Sequence, residues 1–160
     1  METIGHTSNL CSLSEWSIQH IRNVFEARSD EQSLRAIAAT FSEDVSATVN
    51  GVPLSREGID QLVLAMRRGS SGGLRVQWQQ AIGAPWDPAT NRGGAFTGAY
   101  IIRGIQKLSP GAQKPVEFER HKTVNVQIES QSSNPHLDSR RIVNLAFFAT
   151  DVRVDRQASL

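Results

Sequence analysis

The sequence has one cysteine, one tyrosine, four histidines and almost no charge excess, with 17 basic side chains against 16 acidic ones. Each scarcity excludes a class. Cys11 has no second cysteine to pair with, so no internal disulfide is expected, and a reducing, cytoplasmic setting fits. No apolar run approaches the roughly 20 residues that a membrane helix needs. The start, Met1 to Ser12, lacks a basic segment followed by an apolar one, and no secretory signal is expected. A formal charge of +1 leaves no broad basic surface for nucleic acid, despite local pairs such as Arg67 with Arg68. The histidines show no metal-ligand spacing, and no phosphate-loop or dinucleotide glycine pattern opens a helix after a strand, so neither metal nor cofactor is expected. Gly69-Ser70-Ser71-Gly72-Gly73 has the form Gly-X-Ser-X-Gly, but it follows a helical pattern and precedes a strand, the reverse of a nucleophile elbow. It reads as a connector.

What is present is a chain of 160 residues, 39% apolar and 21% charged, enough for one soluble domain with its own core. We place that domain at residues 12–155, between a tail at 1–11 and another at 156–160. Ser12 and Glu15 form a capping box, in which a side chain satisfies a free N–H at the helix start. A helix is expected from there to about Arg28, with Ile18, Ile21 and Phe25 on one stripe. Ser29 opens a second helix with Leu34, Ile37, Ala38 and Phe41 in register. Val45 to Val49 alternates like a short strand, Asn50-Gly51 is a turn, and Ser55 caps a third helix carrying Ile59, Leu62, Val63 and Met66. From Leu74 the period changes to two. Strands are expected from Leu74, over 95–107 and 116–128, and from Arg140 onward.

This order, with three local segments, resembles the nuclear-transport-factor-2-like superfamily and its SnoaL-like branch. The segments are Phe41-Ser42-Glu43-Asp44-Val45, Asn50-Gly51-Val52-Pro53-Leu54-Ser55 and Phe147-Phe148-Ala149-Thr150-Asp151. The resemblance spans about residues 12–154 and implies an α+β fold, a strongly bent antiparallel sheet wrapped as a cone around the three helices, with a pocket between them. It also implies a small-molecule site, since members include ketosteroid isomerases, scytalone dehydratases, polyketide cyclases and epoxide hydrolases. Here the chain departs from each of these. The first helix has no tyrosine, only His121 stands where the dehydratases have a pair of strand histidines, and no paired carboxylates accompany an arginine as in the epoxide hydrolases. Fold alone leaves the function open.

Candidate site residues follow from position. His20 lies four residues after Trp16 on the first helix, and is either a general acid or base or a half-buried boundary residue. In strand 116–128, Arg120 and Lys122 share parity with Phe118 and Val124; a bulge would substitute His121 and Glu119. A buried Arg120 requires an acceptor, with Asp44 and Asp151 available. Tyr100 and Asn144 could offer polar tips to an apolar cavity, and Trp78, Phe118 and Phe148 could line or close it. Two functions remain open. One is a cofactor-independent isomerase, cyclase or dehydratase for a small apolar metabolite, using His20, His121, Arg120 and Tyr100. The other is a non-catalytic ligand-binding or dimerisation module. The last strand is apolar on both faces, so a homodimer through the outer sheet face is expected.

Overall fold

The computed structural model describes residues 10–108 and 110–154, so the expected tails, apart from Leu10 and Cys11, lie outside the described residues. Three helices form where the capping serines predict them. Ser12, Ser29 and Ser55 each accept a backbone N–H three residues on, at 3.1, 3.1 and 2.9 Å. The helices are α1 (Leu13–Phe25), α2 (Asp30–Thr40) and α3 (Arg56–Arg68).

α1 ends at Phe25, three residues short of the expected Arg28, and tertiary donors claim the carbonyls near its C-terminus. Arg67 donates to Ala27 O at 2.7 Å, and Ser33 Oγ donates to Val24 O at 2.7 Å. α2 buries Ser33, Ile37 and Thr40, so the expected stripe through Leu34 and Phe41 is corrected. Leu34 is 36% exposed, and Phe41 is already extended and begins the first strand.

Among the described residues, six strands form one curled sheet that does not close: β1 (Phe41–Val49), β2 (Val52–Leu54), β3 (Arg75–Pro85), β4 (Gly94–Lys107), β5 (Val116–Ser130) and β6 (Arg140–Arg153). Their order is β2-β1-β6-β5-β4-β3. Four neighbouring pairs are antiparallel and β1 runs parallel to β6, so the sheet is mixed rather than wholly antiparallel. The helices cover its inner face. Leu13, Trp16, Ile21, Val24 and Phe25 of α1 join Ile59, Val63 and Met66 of α3 over Phe96, Ile102, Val124, Ile128 and Ile142. Burying each such side chain is worth about 1.5–3 kcal/mol, so this layer carries most of the fold.

Bulges set which side chains reach that layer. In β6 the pairing shifts by one residue between Asn144 and Ile142, leaving Val143 as the extra residue. Ile142 therefore shares the inner face with Leu145 and Phe147, whereas strict alternation would group it with Phe148. In β4 two residues, Arg103 and Gly104, stand against the single Glu119 between the pairs Ile102–Arg120 and Ile105–Phe118, one residue more than regular pairing allows. Gly104 takes φ +94°, and a Cβ there would stand 2.5 Å from the carbonyl oxygen of Gly73, so both the backbone angle and the close approach call for glycine.

Candidate functional site

β5 runs without a bulge from Phe118 to Gln127, which settles which of its side chains point inward. Arg120, Lys122, Val124 and Val126 share the inner face. Opposite them across β4 and β6 stand the pairs Tyr100–Lys122, Arg120–Asp151 and Val124–Phe147.

Arg120 is an ion-pair residue. Its Nε and Nη2 donate to Asp151 at 2.7 and 3.0 Å, and Lys107 bonds the same carboxylate. Those hydrogen bonds, foremost from Arg120, hold the Asp151 carboxyl down at about 2. Asp44, the other acceptor considered, is exposed. Phe118 is half-buried beneath the Lys107 ammonium.

Lys122 is different. It is buried, its Nζ sits 4.1 Å from the centre of the Phe147 ring, 5.1 Å from Phe25 and 5.5 Å from Tyr100, and no hydrogen-bond or ion-pair partner faces it among the described residues. Burial, reinforced by the Arg120 charge, lowers its pKa from 10.5 to about 7. Three ring faces at about 0.5–2 kcal/mol each offset only part of the cost of burying an ammonium, which is several kcal/mol. Near neutral pH a substantial fraction is therefore the free amine. Tyr100 is 2% exposed and burial raises its pKa, so its hydroxyl stays protonated; it too has no hydrogen-bond partner among the described residues.

Lys122 and Tyr100 both line an otherwise apolar cavity walled by Ile21, Val24, Ile59, Val63 and Leu145. Free space for the centre of a water-sized sphere is about 30 Å³. That holds a water or two. Phe41, Leu54 and Leu62 also line it and are half-buried, so it reaches the surface between β1, β2 and α3.

The remaining candidates lie elsewhere. His20 Nδ1–H donates to Trp16 O at 2.8 Å and the ring stacks on Trp16 at 4.1 Å, an arrangement that leaves Nε2 as the free nitrogen. Burial lowers its pKa, and its charged neighbours are Asp138, Arg140 and Arg141 at the start of β6. From Arg140 to Ala149, which pairs with Lys122, is nine residues of β6, about 30 Å of extended chain. Trp16 is buried beneath the Arg140 guanidinium, which also binds Asp138, Cys11 O and Asn91 O. His121 points to the outer face and pairs with Glu119 at 3.1 Å. Asn144 is exposed and Phe148 is 55% exposed, so the β6 bulge removes both from the interior. Trp78 packs on Tyr100 at 4.6 Å, with a buried indole N–H that lacks a protein partner. Of His20, His121, Arg120 and Tyr100, Tyr100 lines the cavity, with Lys122 beside it, while Arg120 shares the inner face but is held by Asp151. The parity of Lys122 with Val124 and Val126 was the signal in the sequence. Among the described residues no group of three histidine, cysteine or carboxylate side chains could hold a metal ion.

The curled α+β arrangement is the nuclear-transport-factor-2-like fold. SnoaL-like proteins are among those sharing it. A SnoaL-like family protein from Agrobacterium tumefaciens is 14% identical, with 86% of this chain and 97% of that chain covered and a TM-score of 0.50. Nuclear transport factor 2 from Cryptosporidium parvum is 12% identical over 86% and 91%, at 0.52. The hexachlorocyclohexane dehydrochlorinase LinA-type3 from Novosphingobium barchaimii LL02 is 14% identical over 92% and 90%, at 0.57. No family model matches the sequence, and no curated protein does.

Proposed function

We propose that the protein binds a small, largely apolar molecule in the inner-face cavity and moves a proton on it, with Lys122 as the base and Tyr100 as a hydrogen-bond donor to developing oxyanion charge. The observation that carries this is the Lys122 amine, buried against three aromatic rings with no anion to hold it charged. A lysine kept for stability alone is normally paired or snorkels to water. One that titrates near neutrality inside an apolar cavity has the properties of a general base. It would take a proton from a carbon beside an electron-withdrawing group and return it at a neighbouring position, or leave a group free to depart. Isomerisation and elimination both start this way, and the names of two fold neighbours, a dehydrochlorinase and a SnoaL-like isomerase candidate, fit reactions of that kind.

The small free volume supports a second reading, a module whose cone is filled by its own side chains. The two separate on one measurement. A panel of apolar ketones in deuterated buffer, followed by NMR, should show exchange of α-protons catalysed by the wild type, rising with pH through about 7 as the amine deprotonates, and absent in Lys122→Met. Equal exchange with both proteins across the panel would leave only the module.

For assembly, we propose a homodimer through the outer face of β5 and β6. Its support is that Phe148 and Val152 there are 55% and 45% exposed, although they belong to one of the most apolar strands of the chain.

A further inference from the structure

We propose that Lys122 acts as a nucleophile that forms an imine with a small apolar aldehyde or ketone, an inference that rests on reading the cavity as a small-molecule site. The geometry supports a covalent role because the charged groups facing the amine are already paired and, apart from the Tyr100 hydroxyl, the rest are apolar. From β5 the facing charge is Arg120, already held by Asp151. From β6 come Phe147 and Asp151, the latter bound by Arg120 and Lys107. From β4 comes the Tyr100 ring, and from α1 the Phe25 ring. No carboxylate ties up the amine, and ring faces cannot accept its protons in hydrogen bonds of ordinary strength. A desolvated lysine in an apolar pocket is one of the ways an amine is made nucleophilic at neutral pH.

The step balances with groups on the page. The Nζ lone pair forms a bond to the carbonyl carbon and the carbonyl π pair moves to oxygen, while the Tyr100 hydroxyl hands its proton to that oxygen as it takes one from the nitrogen, giving the carbinolamine. In the second stage the Tyr100 hydroxyl gives its proton to the departing hydroxyl as it takes the remaining nitrogen proton, the C–O bond breaks, one water is released, and the neutral imine is left. Amine plus carbonyl gives imine plus water, with no oxidant or reductant. The opening past Phe41, Leu54 and Leu62 gives the product water a way out to the surface. The apolar walls of Ile21, Val24, Ile59 and Val63 select an uncharged carbonyl compound over an oxo acid.

The chain has only three lysines, Lys107, Lys114 and Lys122, which makes the test clean. The full chain is incubated at pH 7 with isobutyraldehyde and sodium cyanoborohydride, which reduces an imine to a stable secondary amine, and the sites are mapped by peptide mass spectrometry. Lys122 should be alkylated at least about tenfold faster than Lys107 or Lys114, as expected of an activated amine. Glyoxylate in place of the aldehyde should lose that preference. In Lys122→Met, which removes the amine without burying a permanent charge, alkylation should fall to the two surface lysines and the chain terminus. Alkylation of Lys122 no faster than the other two, with folding verified by circular dichroism, overturns the proposal, and so does preference for glyoxylate. Ketone exchange that depends on Lys122 without preferential alkylation would leave the base and remove the nucleophile. Preferential alkylation without exchange would do the opposite.

Discussion

Lys122 makes stability depend on pH in an unusual direction. In the unfolded chain its amine holds a proton up to 10.5, and in the folded chain only below about 7. Between those values the unfolded state binds more protons, so stability rises as pH is raised from about 7 towards 10.5, and below 7 the cost of the buried charge is fully present. Lys122→Met, which fills similar space without charge, should be more stable than the wild type at pH 6 by on the order of 2–5 kcal/mol, with the gap closing near pH 10. Urea denaturation of both proteins at the two pH values checks this. Equal gaps at both would show that the amine is solvated or paired in the folded state. Position 122 was legible in the sequence, since it alternates with Val124 and Val126. Its importance was not, because isolation from acceptors depends on what three other strands and helices bring near it. His20 shows the converse: helical spacing placed it beside Trp16, yet only the sheet could show that it lies at the far end of β6 from the amine.

At the level of elements, serine caps and apolar stripes located all three helices, because both signals are local in sequence. Bulges are not local. The extra residue at Val143 reverses parity along the rest of β6, and this is why Asn144 and Phe148 face outward when alternation counted from Ile142 puts Phe148 inside. The bulge at Arg103 and Gly104 brings β4 against the segment after α3, with Gly104 close to the Gly73 carbonyl. Gly104→Ala meets that backbone oxygen and a disfavoured φ together. We expect a loss of about 2 kcal/mol or more, read as a lower denaturation midpoint at unchanged slope. A loss within a few tenths would mean that the bulge relaxes freely.

For the whole molecule, the class of fold was readable from element order, while the sense of one strand pair was not. β1 and β6 lie far apart in sequence, and nothing within either segment indicates that they run parallel. Assembly belongs to this scale. The proposed dimer should sediment at twice the chain mass at micromolar concentration, and Phe148→Asp, which puts a charge on the exposed outer face, should return it to a monomer with no loss of secondary structure. A wild type that sediments as a monomer would remove the dimer.

The parallel pairing also sets an order of events during synthesis. β1 is made early, yet one of its edges waits for β6, whose 14 residues begin at Arg140. Arg140 itself joins the start of β6 to Cys11 O, 129 positions away. Until that stretch has left the ribosome, the early half of the chain carries an open strand edge and a helix layer lacking a strip of sheet to cover. Contacts of such long span slow folding, towards the millisecond-to-second range of β-rich topologies. An open edge of this kind invites pairing with other chains. The emerging protein thus depends on β6 to end a window of vulnerability that β1 opens.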